Sequence, residues 1–318
     1  MPTRRQFVLT LGALAACKKS GTGTLKIAVV PKGTTHEFWK AVHAGADKAG
    51  KEAAVEVIWK GPLKEDDLKQ QIEVVQSFTA QGVNGIVLAP LSDKALGASV
   101  KGAVAAKIPV VIFDSDLQGQ DHTSFVATDN RAAGRLAGDH LAKALGGKGK
   151  VVVLRYQEGS ASTANREEGF LEAIKKATGI TVVSENQYGG ATTESALKTS
   201  ENLLSAQNAA TGGVDGIFTP NESTTFGMLL ALQKAGLAGK LKLCGFDASD
   251  KLVAALEKGE IEALVLQDPF KIGYLAVKTM VAHLRGTPVE KRIDTGAKLV
   301  TKDNLSSKEV QDVLHPPS

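Results

Sequence analysis

GIVLAPLSDKALGASVKGAVAAKIPVVIFD, residues 85–114, decides the fold. Gly85–Pro90 and Pro109–Asp114 are runs of Ile, Val, Leu, Ala and Phe without polar alternation, which is how strands covered on both faces read. Ala95–Lys107 between them has helical character. A strand, a helix and a second strand in this order make parallel neighbours joined by a right-handed crossover.

The same alternation extends in both directions. Upstream strands are expected at Leu25–Pro31 and Val55–Trp59, and downstream ones at Ser124–Thr128, Lys150–Arg155, Ile180–Ser184, Gly216–Pro220, Lys242–Asp247 and Ala263–Gln267. Helices are expected at His36–Glu52, Glu65–Gln81, Ala132–Leu145, Thr163–Thr178, Thr193–Ala206, Thr224–Ala235, Asp250–Lys258 and Pro269–Leu284. Thr34 and Glu37 have capping-box spacing for the first helix. Gly82, Gly146, Gly179, Gly236 and Gly286 stand where helices end, positions that favour a left-handed backbone. The series makes an α/β protein with doubly wound parallel sheets, and its length divides into two sheets of about five strands each. The break falls near Thr128–Arg131.

The chain has 318 residues, 43% hydrophobic and 23% charged, enough for two cores. Its net charge is +4 and it has no basic stripe interleaved with aromatics, which argues against nucleic acid as a partner. Two cysteines, Cys17 and Cys244, exclude a disulfide framework and an all-cysteine metal site. Cys244 follows a strand pattern and is expected to be an inert buried thiol. The six histidines lack ligand spacing, so no metal is expected.

Residues 1–17, MPTRRQFVLTLGALAAC, place Arg4 and Arg5 before an apolar run from Phe7 to Ala16. That run is too short to span a bilayer and fits a secretory signal. Thr3–Leu9 resembles a twin-arginine export signal, and Leu14-Ala15-Ala16-Cys17 resembles the lipobox of bacterial lipoproteins. The competing reading is a buried N-terminal helix with an incidental cysteine. On the lipoprotein reading residues 1–16 are removed, Cys17 is acylated, and polar residues 17–24 form a tether to the membrane in the cell envelope.

Enzyme signatures are missing. The turn after the first strand, Pro31-Lys32-Gly33-Thr34-Thr35, is no dinucleotide cradle, and no P-loop, nucleophile elbow, HExxH or CxxC occurs. In doubly wound sheets ligands bind beyond the carboxyl ends of strands. That rule selects Lys32, His36, Phe38 and Trp39 after the first strand, and Asp114 and Ser115 after the fourth. In the second half it selects Arg166 beyond the loop that follows Arg155, then Asn221, Asp247 and Gln267. Carboxylates, amides and guanidinium pair with neighbouring hydroxyls, and aromatic faces cover the C–H face of a sugar. Polyols and nucleosides fit the same groups.

Taken in order, Phe38-Trp39, Ile108–Asp114, Thr128-Asp129-Asn130, Asn165–Phe170, Phe218–Glu222, Gly245-Phe246-Asp247 and Leu266-Gln267-Asp268 resemble the periplasmic sugar-binding proteins of ABC transporters, the type that includes ribose and galactose binders. The resemblance spans Leu25 to about Val313. It implies two lobes joined by three crossovers near Thr128, Asp268 and Gly296. The N-terminal lobe would comprise 25–127 plus 269–295, and the C-terminal lobe 128–268 plus 296–318. It further implies a monomer that needs no cofactor, closes on a monosaccharide or polyol and delivers it to a permease. A sensing partner of a histidine kinase or chemoreceptor is the alternative. By resemblance Phe38 and Trp39 are the aromatic pair, Asp114 binds hydroxyls, Arg166, Asn221 and Asp247 are contacts of the second lobe, and Gln267 is the crossover contact. Ser115 replaces an arginine usual in ribose binders, and Lys32 and His36 replace smaller polar residues. A cationic turn keeps an anionic sugar open as the ligand.

Overall fold

A computed structural model of the chain describes residues 23–119 and 121–316. The expected export signal with Arg4 and Arg5, and the expected acylation site at Cys17, lie outside the described residues.

The chain alternates as the sequence reading expects. In order come β1 (Lys26–Val30), α1 (Glu37–Ala53), β2 (Glu56–Trp59), α2 (Leu68–Gln81), β3 (Gly85–Leu88), α3 (Gly97–Ala105), β4 (Val110–Phe113) and β5 (Ser124–Ala127). Then follow α4 (Asn130–Ala144), β6 (Lys148–Arg155), α5 (Ala161–Ile174), β7 (Gly179–Tyr188), α6 (Thr193–Ala206), β8 (Gly216–Phe218), α7 (Glu222–Lys234) and β9 (Lys242–Phe246). The last elements are α8 (Asp250–Lys258), β10 (Ala263–Leu266), α9 (Pro269–Leu284), β11 (Arg292–Asp294), β12 (Lys298–Val300) and α10 (Lys308–Leu314). β1, β3, β4 and β5 are buried throughout or nearly so, which is why their sequences do not alternate.

Two sheets form, in the orders β2-β1-β3-β4-β5-β11 and β7-β6-β8-β9-β10-β12. The two orders are the same topology used twice. All pairs are parallel except β10 with β12. The late strands β11 and β12 each close one sheet edge. Neither was expected from sequence, since a three-residue edge strand such as Arg292-Ile293-Asp294 carries no hydrophobic run; pairing with β5 makes it a strand.

One helix pair per sheet packs backbone on backbone. A Cβ on Gly45 of α1 would stand 2.0 Å from the carbonyl of Phe270 in α9, and one on Gly273 would stand 2.0 Å from that of Val42. In the other lobe a Cβ on Gly134 of α4 would stand 2.0 Å from the carbonyl of Arg166 in α5, and one on Gly169 2.1 Å from that of Arg131. These contacts lie closer than any side chain permits, so each lobe uses a reciprocal pair of glycines at the crossing.

The segments that pass between the sheets tie to one another. Thr128 Oγ1 donates to the Gly296 carbonyl at 3.2 Å, and Asp294 Oδ1 accepts from the amides of Asp129 and Gly296, each at 2.9 Å. Lys271, just after the second passage, donates to the Thr295 carbonyl at 3.3 Å.

Three local expectations are corrected. Thr34 and Glu37 form no capping box: His36 precedes α1 and makes no cap bond, while Thr34 Oγ1 donates to the Pro62 carbonyl. The second helix starts at Leu68 behind an Asp67 cap, which frees Glu65 from it. Gly179 opens β7 instead of taking a positive φ, whereas Gly82, Gly146, Gly236 and Gly286 do have one.

Candidate functional site

Between the carboxyl ends of the two sheets lies a cleft with about 320 Å³ of space, part of it open to solvent. Of the ten residues chosen from sequence, Lys32, His36, Phe38, Trp39, Asp114, Arg166, Asn221, Asp247 and Gln267 line it. Ser115 does not: it is fully buried, and its hydroxyl accepts from the Ser162 amide of the opposite lobe at 3.1 Å. Glu65, Tyr156, Ser162, Thr163 and Glu222 line it as well.

The two lobes present matching carboxylates. Asp114 follows β4 at φ 60° and Asp247 follows β9 at φ 67°, left-handed values uncommon outside glycine. Each amide donates at 3.0 Å to the neighbouring strand, Asp114 to Val126 and Asp247 to Val265. The turn thus lifts each side chain off its sheet edge into the cleft, and strain of this kind gathers at functional sites.

Lys32 reaches across the cleft. Its ammonium meets Asp114 at 3.2 Å and donates to Ser160 at 3.2 Å and Ser162 at 3.0 Å. Three acceptors match its three protons. His36 Nδ1 lies 2.8 Å from Glu65 Oε1, so the second cation of the turn is paired too. The cationic turn seen in the sequence is neutralised within the protein and exerts little pull on an anionic ligand.

Arg166 stands on the other wall with its guanidinium 4.7 Å from the Phe246 ring centre. Nε donates to Asn130 at 2.7 Å and Nη1 to the Pro220 carbonyl at 2.9 Å. Nη2 is buried without a partner. Gln267 donates to Asp247 Oδ1 at 2.8 Å, and its own Oε1 is buried without a partner. Asp247 Oδ2 accepts from the Glu222 amide at 2.9 Å, and burial, opposed by Arg166, holds its carboxyl above the usual range. Asn221 caps α7 through Oδ1 while it faces the cleft, so its turn-forming and lining roles coincide. Trp39 is buried against Phe113 and Phe38 is half-buried, and the two rings meet edge to face at 4.9 Å.

Helix ends are completed across the cleft. Glu222, first residue of α7, accepts from the Glu37 amide at 3.3 Å and the Phe38 amide at 3.1 Å. Glu37, first residue of α1, accepts from the Asp250 amide of α8 at 3.0 Å. Free amides at a helix start favour such anions.

Charge at the His36–Glu65 pair gives a pH prediction. Burial works against the imidazolium, but the bond and charge of Glu65, aided by Glu222 and Asp247, raise His36 to about 9. Burial likewise opposes the Glu65 carboxylate, but His36, Lys32 and the Tyr156 hydroxyl hold it down at about 2. A depressed carboxyl stabilises above its usual 4.5 and loses that contribution as pH falls towards 2. A raised imidazole stabilises in full below 6.5 and loses its contribution as pH rises through about 9. Melting temperature is therefore expected to fall between pH 6.5 and 9, and the His36→Gln variant is expected to lose much of that alkaline slope. Equal slopes for both proteins would refute the assignment. Cys244 is fully buried and burial pushes its thiol well above the usual range, as befits an inert core group.

Known proteins share this sequence pattern and fold. The periplasmic binding protein domain matches residues 27–288. The ribose import binding protein of Salmonella typhimurium is 31% identical over 280 residues, covering 87% of this chain and 90% of that protein. A carbohydrate transporter solute-binding protein from Agrobacterium radiobacter, solved with D-arabinose, is 34% identical with a TM-score of 0.88, covering 92% of this chain and 100% of that one. The periplasmic component of an ABC-type sugar transport system from Hahella chejuensis is 37% identical with a TM-score of 0.83, covering 87% and 99%. With one domain model spanning most of its length and close likeness in sequence and shape, this chain belongs to the periplasmic binding protein family.

Proposed function

We propose that the protein captures an uncharged monosaccharide or small polyol in the interlobe cleft, outside the cytoplasm, and delivers it to the permease of an ABC importer. One observation carries this reading: the buried partnerless groups of the cleft are a donor, Arg166 Nη2, and an acceptor, Gln267 Oε1, while Lys32 and His36 are already paired. Buried polar atoms seek partners, and a hydroxyl both donates and accepts. An anionic ligand would meet four carboxyl groups, Asp114, Glu65, Asp247 and Glu222, against one cation of the cleft, Arg166, that is not already paired with an acid. The ten chosen residues then divide by role. Phe38, Trp39, Asp114, Arg166, Asn221, Asp247 and Gln267 contact the sugar, and Lys32, His36 and Ser115 hold the lobes around it.

A thermal-shift screen over pentoses, hexoses, polyols, sugar acids and nucleosides tests this. A neutral sugar at about a hundred times its dissociation constant should add about 2.7 kcal/mol of apparent stability. Stabilisation by sugar acids alone, or by none of the set, would overturn the reading.

Within the same proposal, Cys17 carries a lipid that holds the exported chain to a membrane through residues 17–24. The sequence Leu14-Ala15-Ala16-Cys17 after a short apolar run supports this. The Cys17→Ala variant is expected in the soluble envelope fraction and the natural chain in the membrane fraction. Persistent membrane association of the variant would refute lipidation.

A further inference from the structure

Glu65 belongs to no motif legible in the sequence, yet groups from both lobes converge on it. Its Oε1 accepts from Trp39 Nε1 at 2.6 Å and lies 2.8 Å from His36 Nδ1. Its Oε2 accepts from the Tyr156 hydroxyl at 2.5 Å, and its main-chain carbonyl accepts from Gln157 Nε2 at 3.1 Å. Trp39 and His36 stand at the start of α1, whereas Tyr156 and Gln157 follow β6 in the opposite lobe. The side chain also shapes the first turn, since a Cβ on Gly33 would stand 2.8 Å from Glu65 Cγ. Trp39, His36 and Tyr156 all line the cleft, and three donors already occupy the carboxylate that joins them.

We propose that Glu65 is a positioning residue: it sets the indole of Trp39 against the ligand, fixes the imidazole of His36 behind it, and ties both, through Tyr156, to the other lobe. Closure is then held by a protein–protein hydrogen bond as well as by the guest. A charged acceptor suits this task, because bonds to ionised groups are shorter and about twice as strong as neutral ones. A neutral amide at the same place keeps the shape and loses that strength. The inference goes beyond the sugar-binding reading but rests on the cleft closing around a small ligand.

The test compares the wild type with Tyr156→Phe, Glu65→Gln and the double variant at pH 6. Tyr156→Phe removes one hydroxyl and leaves Glu65 with His36 and Trp39, so it remains informative if the other substitution impairs folding. Without any sugar, small-angle scattering is expected to give a larger radius of gyration for each variant than for the wild type. With D-ribose and D-arabinose as probes, stopped-flow dissociation is expected to quicken about tenfold in either single variant, the worth of one charge-assisted bond. The double variant is expected to be no faster than the more affected single one, because the two groups act through each other. A purely structural role would lower the melting temperature without this coupling.

Equal radii throughout, additive effects on dissociation, or unchanged dissociation of a sugar that the wild type binds would each overturn the proposal. A wild type that binds neither probe bears only on which sugar is the guest, and the scattering comparison then decides the role of Glu65.

Discussion

Arg166→Ala is expected to weaken ligand binding by about a hundredfold or more, the largest loss from any single change in the cleft. The guanidinium is buried and bound at three places: Asn130, the Pro220 carbonyl and the face of Phe246. Its remaining nitrogen faces the cleft without a protein partner. Removing it deletes the ligand's donor and leaves Asp247 and Asp114 with less positive charge nearby. Breaking buried charge relations costs about 3–5 kcal/mol, and about 1.4 kcal/mol is tenfold in affinity. Arg166→Lys is expected to fall between, since one ammonium cannot reproduce a planar fork aimed in three directions. Calorimetry with the sugar found by the screen measures both. Wild-type affinity in Arg166→Ala would remove this residue from the site.

Gly134→Ala is expected to be strongly destabilising. Its new methyl would stand 2.0 Å from the Arg166 carbonyl, an atom of rigid helical backbone. α4 must then lift off α5, and overpacking of this kind costs about 3 kcal/mol or more when backbone must move. The damage reaches the cleft directly, because the displaced carbonyl belongs to the residue whose side chain forms its wall. Gly102→Ala in α3 is the control: nothing lies within 4 Å of its Cβ, so it should be neutral or stabilise by up to about 1 kcal/mol. Urea unfolding separates the two. Gly134→Ala with wild-type stability would refute the close-packed crossing.

The inner strands of both sheets were legible because they are covered on both faces and therefore read as unbroken apolar runs, whereas the edge strands β2 and β7 were legible from their β-branched residues although they are only partly buried. β11 and β12 were not, because their strand character comes from pairing with β5 and β10 and not from their own residues. The cleft was largely legible by one topological rule, that ligands sit beyond strand carboxyl ends. Glu65 escaped because it was read into a helix that in fact begins at Leu68. The same rule applied to β2 would have reached the segment after Trp59 and exposed it. Glu222 was hidden for another reason: it was read ahead of a helix expected from Thr224, and only the docked lobe shows which amides it serves. The charge of Lys32 and His36 kept an anionic ligand open in the sequence, which displays cations without the carboxylates that fold against them.

The doubled glycine crossing has a consequence for how the molecule moves. With carbonyls of one helix pressed against the Cα atoms of its neighbour at Gly45, Gly273, Gly134 and Gly169, neither half has slack with which to bend. On the proposed binding reading, opening is therefore expected to concentrate in the three connecting strips around Thr128, Asp268 and Gly296, with a few bonds to Asp294 and Thr295 as the pivot. Amide hydrogen exchange ought to register this as slow, uniform protection across both pairs of crossing helices, with ligand-sensitive exchange confined to the pivot and the rims of the cleft.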